Sequence, residues 1–398
     1  MMGKKIKFCL SQVVVLFFLF TGVAFAGVTQ QEGEESEKGE TEVGLSVSMN
    51  QETEAYPNFG IRGRFHFDGF AGIDKDDVDG FGNGFNNRRA RLGMDGSLTE
   101  DWDARIEVDF SEAGVSPNDF RVRRSFANGG RMWLGQFKVP QGLNELTSSN
   151  SITFVERTTI SNIITDSRRM GVAYEWSRSQ TGVKGMFYGR SIGDDVTGDS
   201  PLGGALRGVF APQIGGGTLH LGASVAYEDV NDENILSYSD RPEARGTNGG
   251  NALIGAEING VESTFKTGVE LAYIRGPFSI EGEYLQANID RDNADNPTIS
   301  GYHIQSSYVL NGGNRSYSTG GFGGVNGAGV WEIAARYSHA DLNDNGIYGG
   351  EQTNITLGVN RYITSNLRFM GNIIFVNADL EDESVNPTLA VFRAQFNF

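Results

Sequence analysis

The feature that most constrains this chain is a period-two alternation of apolar and charged residues, repeated over most of its length. Phe59, Ile61, Phe65 and Phe67 fall on one face of an extended segment, and Arg62, Arg64, His66 and Asp68 on the other. Trp102, Ala104, Ile106, Val108 and Phe110 interleave with Asp103, Arg105, Glu107 and Asp109. Leu219, Leu221, Ala223, Val225 and Tyr227 alternate with His220, Ser224 and Glu228, and Trp331, Ile333, Ala335 and Tyr337 with Glu332, Arg336 and Ser338. Successive side chains of a strand point to opposite faces, so each segment reads as a strand with one apolar and one charged face. A soluble sandwich alternates too, and no single segment decides between the two. Repetition from Asn58 to the C-terminus points to an all-β, transmembrane antiparallel barrel with lipid outside and water inside.

The connections carry a second signal. Short links at Ser97–Glu100, Asn128–Gly130 and Thr364–Asn366 take turns with long polar ones at Gly69–Gly84, Val139–Arg168, Val230–Glu262 and Leu380–Pro387. Short periplasmic turns alternating with longer outer loops is the pattern of outer-membrane barrels, and the spacing gives about 16 strands. One link breaks the pattern: Asn311–Gly329 is long where a short turn belongs, and its Gly320–Gly329 part reads as a flexible periplasmic connection. With 55 Gly, 26 Phe and only nine Pro, the composition suits a large barrel better than a soluble enzyme.

The first residues set the compartment. Lys4, Lys5 and Lys7 precede an apolar run from Val13 to Phe20, and Ala24-Phe25-Ala26 is a small-x-small cleavage site, so residues 1–26 read as a secretory signal peptide. Cys9, the single cysteine, lies within it, which removes disulfides, thiol catalysis and cysteine metal sites from the mature chain. Residues 27–57, with Glu32, Glu34, Glu35, Glu37, Glu40 and Glu42, read as an acidic, mobile periplasmic segment, and residues 58–398 as the barrel. Residues 1–26 hold three of the 33 basic residues and none of the 50 acidic ones, which leaves a net charge of −20. That balance argues against a nucleic-acid partner.

At the other end, Phe392, Ala394, Phe396 and the terminal Phe398 alternate with Arg393, Gln395 and Asn397. A last strand ending in Phe resembles the tag read by the barrel-assembly machinery, and localisation to the outer membrane of a Gram-negative bacterium follows. Trp133, Tyr174, Trp176, Tyr284 and Tyr308 are assigned to the interfacial aromatic girdles.

Several stretches resemble the phosphate-selective porins O and P. They are Arg88-Arg89-Ala90-Arg91-Leu92-Gly93, Leu134–Leu143 continuing through Glu145–Ser148 to Thr153–Arg157, His220–Ser224, Ala335–Ser338, Asn354–Asn360 and Arg393–Phe396. The resemblance spans residues 58–398 and implies a homotrimer of sixteen-stranded barrels with the third loop folded into the lumen, where Val139–Arg168 stands. Pro140-Gln141-Gly142 departs from the family's usual Pro-Phe-Gly at the start of that loop.

The lumen chemistry rests on arginine. Outside residues 1–26 the chain has 25 Arg and five Lys, and 15 of the Arg lie between Arg62 and Arg190. Alternation turns Arg62, Arg64, Arg89, Arg91, Arg105 and Arg123 inward; Arg207, Arg336, Arg368 and Arg393 follow on later strands, and Lys138 enters the third loop. Guanidinium forks match phosphate and carboxylate oxygens, and rows of Arg and Lys line anion pores. The expected solutes are therefore small anions; phosphate itself is implied by the resemblance alone. The alternative is a general diffusion porin, in which Glu145, Glu156 and Asp166 of the loop face the arginines and Asp103, Glu107 and Asp109 pair with them in the wall. The overall acidity is compatible with either, since much of it falls in outer loops more than a Debye length of ~8 Å from a constriction. Carboxylates there either bridge divalent cations to lipopolysaccharide or keep the loops solvated.

Other chemistry finds little support. Asp341–Gly346 matches half of an EF-hand loop, but Gln352 occupies the twelfth position, and Asn345-Gly346 is better read as a hairpin turn. His66, His220, His303 and His339 lack metal spacing, and no G-x-S-x-G elbow supports an outer-membrane hydrolase, the remaining alternative. No catalysis, metal or cofactor is expected.

Overall fold

The computed structural model describes residues 56–74, 82–111, 114–194, 200–230, 234–245 and 252–398. The expected signal peptide, residues 1–26, and nearly all of the expected acidic segment, residues 27–57, fall outside these residues. Sixteen strands form a closed antiparallel ring. They are β1 (Asn58–Asp74), β2 (Gly84–Ser97), β3 (Trp102–Asp109), β4 (Ser116–Ser125), β5 (Gly130–Lys138), β6 (Arg168–Arg178), β7 (Thr181–Tyr188), β8 (Gly203–Phe210), β10 (Gly217–Asp229), β13 (Val261–Arg275), β14 (Phe278–Arg291), β15 (Thr298–Val309), β18 (Val330–Asp344), β19 (Ile347–Tyr362), β20 (Leu367–Asp379) and β22 (Thr388–Asn397). Each pairs with the next, and β22 returns to β1, with Phe396 opposite Phe65 and Arg393 opposite Asp68. Two-residue strands β9 (Gln213–Ile214) and β21 (Ser384–Val385) extend the sheet at its rims.

Alternation decides the faces as expected. Ile61, Phe65 and Phe67 are exposed on the outside, whereas Arg62, Arg64, His66 and Asp68 are buried inside. The Asn345-Gly346 turn has φ of 46° and 79°, the mirror-image geometry that matches strand twist in a two-residue hairpin. Tyr174, Tyr284 and Tyr308 are exposed on the outer face, where girdle residues belong. Trp133 is the exception. It pairs with inward-facing Ala173, and its ring lies 5.4 Å from that of Phe137, so it belongs to the lumen and not to a girdle. Proximity to a strand end does not reveal the face; only the register does.

Three connections turn into the barrel. The third loop, between β5 and β6, carries the helices α1 (Leu143–Leu146) and α2 (Thr159–Ile164). The connection from β10 to β13 forms a hairpin of β11 (Ile235–Asp240) and β12 (Ile254–Asn259), which packs on α2. The long link at residues 310–329 is not a plain flexible connection: it forms the hairpin β16 (Asn314–Ser318) and β17 (Gly321–Asn326). Phe322 of that hairpin packs with Leu143 of the third loop. Tyr317 Oη lies 2.5 Å from His220 Nδ1, and Arg207 donates to the Gly320 carbonyl.

The third loop fits because the wall leaves space. A Cβ at Gly301 would fall 2.7 Å from the Ile160 side chain, and one at Gly358 3.0 Å from the Phe154 ring. Ile160, Ile163 and Ile164 complete an apolar cluster with Leu285, Ile289, Ile299 and Leu342 of the wall and Ile254 and Ile258 of β12. Each such side chain contributes about 1.5–3 kcal/mol on burial. This packing lies against β14, β15 and β18 of the wall.

Phe154→Ala removes a fully buried ring and should loosen the loop by about 3 kcal/mol. Exchange of the Val155 amide, which donates to Asn372 Oδ1 at 2.8 Å, is then expected to accelerate by roughly 100-fold in hydrogen-exchange mass spectrometry.

Candidate functional site

The wall formed by β1–β4 is a grid of guanidiniums and carboxylates set by register. Arg64 stands opposite Arg91, Arg91 opposite Asp109, Asp95 opposite Arg105, and Asp103 opposite Arg123. A register shift between His66 and Phe67 lets both Arg88 and Arg89 reach inward although they are adjacent in sequence.

Five of the seven carboxylates here serve more than one cation. Glu107 lies 3.5, 3.1 and 3.4 Å from Arg62, Arg64 and Arg91. Asp95 bridges Arg62 at 3.2 Å and Arg105 at 2.7 Å, and Asp103 bridges Arg121 at 3.0 Å and Arg123 at 2.7 Å. Asp119 meets Arg168 at 2.7 Å and Arg105 at 3.9 Å, and Asp109 meets Arg91 at 2.7 Å. Glu156 of the third loop contacts Arg88, Arg89 and Arg393 at 2.5, 3.9 and 2.9 Å, while Arg393 also holds Asp68 at 2.6 Å. Among the described residues this network joins ten arginines to seven carboxylates, a formal excess of three positive charges.

The third loop hangs on the wall by its backbone. Carbonyls of Asn150, Ser151, Ile152, Thr153, Val155 and Glu156 accept from Gln395, Arg315, Arg368, Asn360, Arg393 and Arg336 in turn. Irregular backbone inside a barrel needs such partners, and here wall side chains provide them. Arg64 donates to Ser149 Oγ at 2.9 Å, and Leu143 N–H donates to Glu283 Oε1 at 2.7 Å on the opposite wall. Where the family usually has Phe, Gln141 accepts from the Asp166 N–H at 3.2 Å and so ties the loop's two ends together. Arg157 folds the loop on itself through the Asn144 and Thr147 carbonyls. Burial would raise the Glu145 carboxyl, but Arg157 and Lys138 beside it outweigh that effect and hold it at about 2.

The structure therefore gathers Arg62, Arg64, Arg89, Arg91, Arg105 and Arg123 on one wall, with Arg393 joined to them through Glu156. Lys138 stands at the base of the loop, 3.1 Å from Glu145. Arg207 and Arg336 sit elsewhere. Arg207 pairs with Glu270 at 2.6 Å beneath the β16–β17 hairpin. Arg336 pairs with Glu243, a residue of the β11–β12 connection whose other oxygen accepts from Ser338. Sequence reasoning passed over Arg88, Arg121, Arg157 and Arg168. Arg121 shares the parity of Arg123 and was visible; Arg88 needed the register shift. It also passed over a cation cluster on Trp133, whose ring centroid lies 4.5 and 5.1 Å from the Arg121 and Arg123 guanidiniums and 3.8 Å from Lys184 Nζ.

Residues 59–398 match the family described as phosphate-selective porin O and P. The chain belongs to that family. The porin is 27% identical to Porin O of Pseudomonas aeruginosa over 406 aligned positions, which cover 89% of this chain and 90% of that protein. An uncharacterized protein of Caulobacter vibrioides is 30% identical over 323 residues, 74% of this chain but 64% of that longer protein. Among solved structures, an anion-selective porin from Comamonas acidovorans superimposes with a TM-score of 0.54 at 14% identity, covering 86% of this porin and 99% of that chain. A loop-deletion mutant of OmpT, an outer-membrane protein of Vibrio cholerae, gives 0.57 at 12% identity over 86% and 99% of the two chains. Family and fold together place this porin in the outer membrane of a Gram-negative bacterium.

Two outcomes follow from the site. Arg393→Met leaves Asp68 buried without its partner, and should lower stability by roughly 3–5 kcal/mol in urea unfolding of the liposome-embedded protein. Burial raises the Asp240 carboxyl to about 6 although Asn162 donates to it at 2.7 Å. An acid whose folded pKa is raised favours the docked state at low pH and loses that contribution as pH rises through about 6. Docking of the β11–β12 hairpin on α2 should therefore be tighter at pH 5 than at pH 7.5. Hydrogen exchange of β11 amides, corrected for intrinsic rates, tests this, and Asp240→Asn should abolish the difference.

Proposed function

We propose that this porin carries small anions, phosphate-like oxyanions among them, by passive diffusion along the arginine wall, without catalysing a reaction. The observation that carries the reading is the gathering, among the described residues, of ten arginines around seven carboxylates where β1–β4, β6 and β22 meet the third loop. Shared carboxylates hold the guanidiniums in place, and a low-dielectric wall focuses the field of this arginine-rich surface on a passing solute. Arg62, Arg64, Arg89, Arg91, Arg105 and Arg123 form the selective wall. Lys138 supports it from the loop, and Arg207, Arg336 and Arg393 contribute by holding the inserted segments. The selectivity in the family's description and that of the Comamonas protein point the same way. A trimeric assembly is supported by a solved OmpT neighbour in trimer form, with a TM-score of 0.56 at 12% identity. Export through the signal peptide and insertion through the Phe398-terminated strand complete the proposal.

One observation favours a second reading, a general porin of weak selectivity. Every one of the ten expected site cations, from Arg62 to Arg393, has a carboxylate within 4.0 Å.

The reversal potential of the protein in a planar bilayer under a potassium chloride gradient separates the two. Anion preference, with chloride current falling as phosphate is added, is the expected result; a potential near zero without block favours the general porin. Exchanging Arg89 and Arg91 together for Glu changes the network's formal charge from three positive to one negative, and should abolish or reverse the preference. An unchanged potential in that variant would overturn the wall assignment.

A further inference from the structure

Most lumen arginines meet a carboxylate, whereas four arginines on the other face do not. Arg124, Arg178, Arg275 and Arg361 have no carboxylate within 4.0 Å among the described residues. Each is the last or next-to-last residue of its strand, just before a short turn: β4, β6, β13 and β19. Alternation points all four outward. Arg124 follows inward Arg123, Arg178 shares the parity of outward Tyr174, Arg275 pairs with outward Phe278, and Arg361 pairs with Trp331.

Two of the four rest on built platforms. Arg124 pairs directly across the ladder with Trp102, its guanidinium 5.7 Å from that ring and 5.1 Å from Phe126. Arg361 pairs directly with Trp331 at 5.0 Å and donates to the Gly329 carbonyl. The same cross-strand Trp–Arg pair thus occurs twice, on widely separated strands, at the short-turn end of the barrel. Outward residues at the opposite end are acidic: Asp229, Asp290, Asp341, Glu351 and Asp379.

Short turns face the periplasm, and strand ends bearing Trp mark the depth of lipid headgroups. A guanidinium on the outer face is costly at the bilayer midplane and tolerated at that depth. There its planar fork matches two oxygens of a phosphodiester, and an indole face beneath it adds cation–π attraction. The four positions are spread around the circumference, which suits a surrounding lipid shell better than a single protein contact.

We propose that Arg124, Arg178, Arg275 and Arg361 form a ring of phosphate-binding positions for anionic phospholipids of the periplasmic leaflet, with Arg124–Trp102 and Arg361–Trp331 as its two strongest sites. The ring is independent of the lumen's anion preference.

Native mass spectrometry of the full mature porin in a neutral detergent tests this with added phosphatidylglycerol, a neutral glycolipid of equal chain length and inorganic phosphate. The wild type should retain phosphatidylglycerol over the glycolipid. Arg124→Gln with Arg361→Gln should weaken retention by about fivefold per arginine, with Lys in their place restoring part of it. The reversal potential should not change in either variant, which keeps the result separate from the pore reading. Equal lipid retention by the wild type and the fourfold Gln variant would overturn the proposal. So would inorganic phosphate that displaces the lipid and is itself retained, or subunits that stay together in the wild type and dissociate in the fourfold Gln variant without added lipid, which would assign the arginines to a second copy of the chain.

Discussion

Closure of the sheet between β1 and β22 is the constraint on which the rest of this molecule depends. Hydrocarbon offers no partner to an unpaired backbone amide or carbonyl, so an open edge in the membrane would leave a row of them unsatisfied. The ring removes that edge, and strand geometry then sends every second side chain to water and every other to lipid. The charged interior is a consequence of that partition. It is also expensive to maintain in a lumen narrowed by inserted segments, because charges there are partly stripped of water.

The porin meets this cost by sharing partners. A guanidinium has five donors and a carboxylate about four acceptor positions, so one acid can satisfy parts of two or three arginines. Glu107 and Glu156 do this among the wall strands and the third loop. The loop carbonyls from Asn150 to Glu156 draw on the same donors that would otherwise stand unused. Loop position and wall electrostatics are therefore two aspects of one hydrogen-bonded lattice. The β16–β17 hairpin supports it from below, with Arg315 reaching both Glu332 at 2.6 Å and the Ser151 carbonyl.

Much of the fold was legible because period-two alternation is a direct print of strand geometry. Inward Arg62 and Arg64 and outward Phe65 and Phe67 follow from parity alone, as does Arg121, which parity exposed and reasoning left aside. What parity cannot show is a change of register: the shift beside His66 brings Arg88 and Arg89 inward together. Trp133 was misassigned for a related reason, since an aromatic near a strand end suits a girdle or a lumen wall equally. The inward hairpin of residues 314–326 had no sequence signature beyond its length. Which carboxylate meets which guanidinium is likewise a matter of pairing across strands far apart in sequence, as with Asp68 and Arg393.

Sharing has an evolutionary corollary. Because Glu156 contacts three arginines at once, its exchange would strand Arg88 and Arg89 together, so a single step at that position is not neutral. Change should instead arrive as concerted swaps of an acid with a base, or be displaced to the Trp133 cluster, where Lys184 meets a single carboxylate, Glu175, at 3.9 Å. The two ends of the pore would then differ in how freely they vary: a conservative eyelet upstream of an adaptable exit.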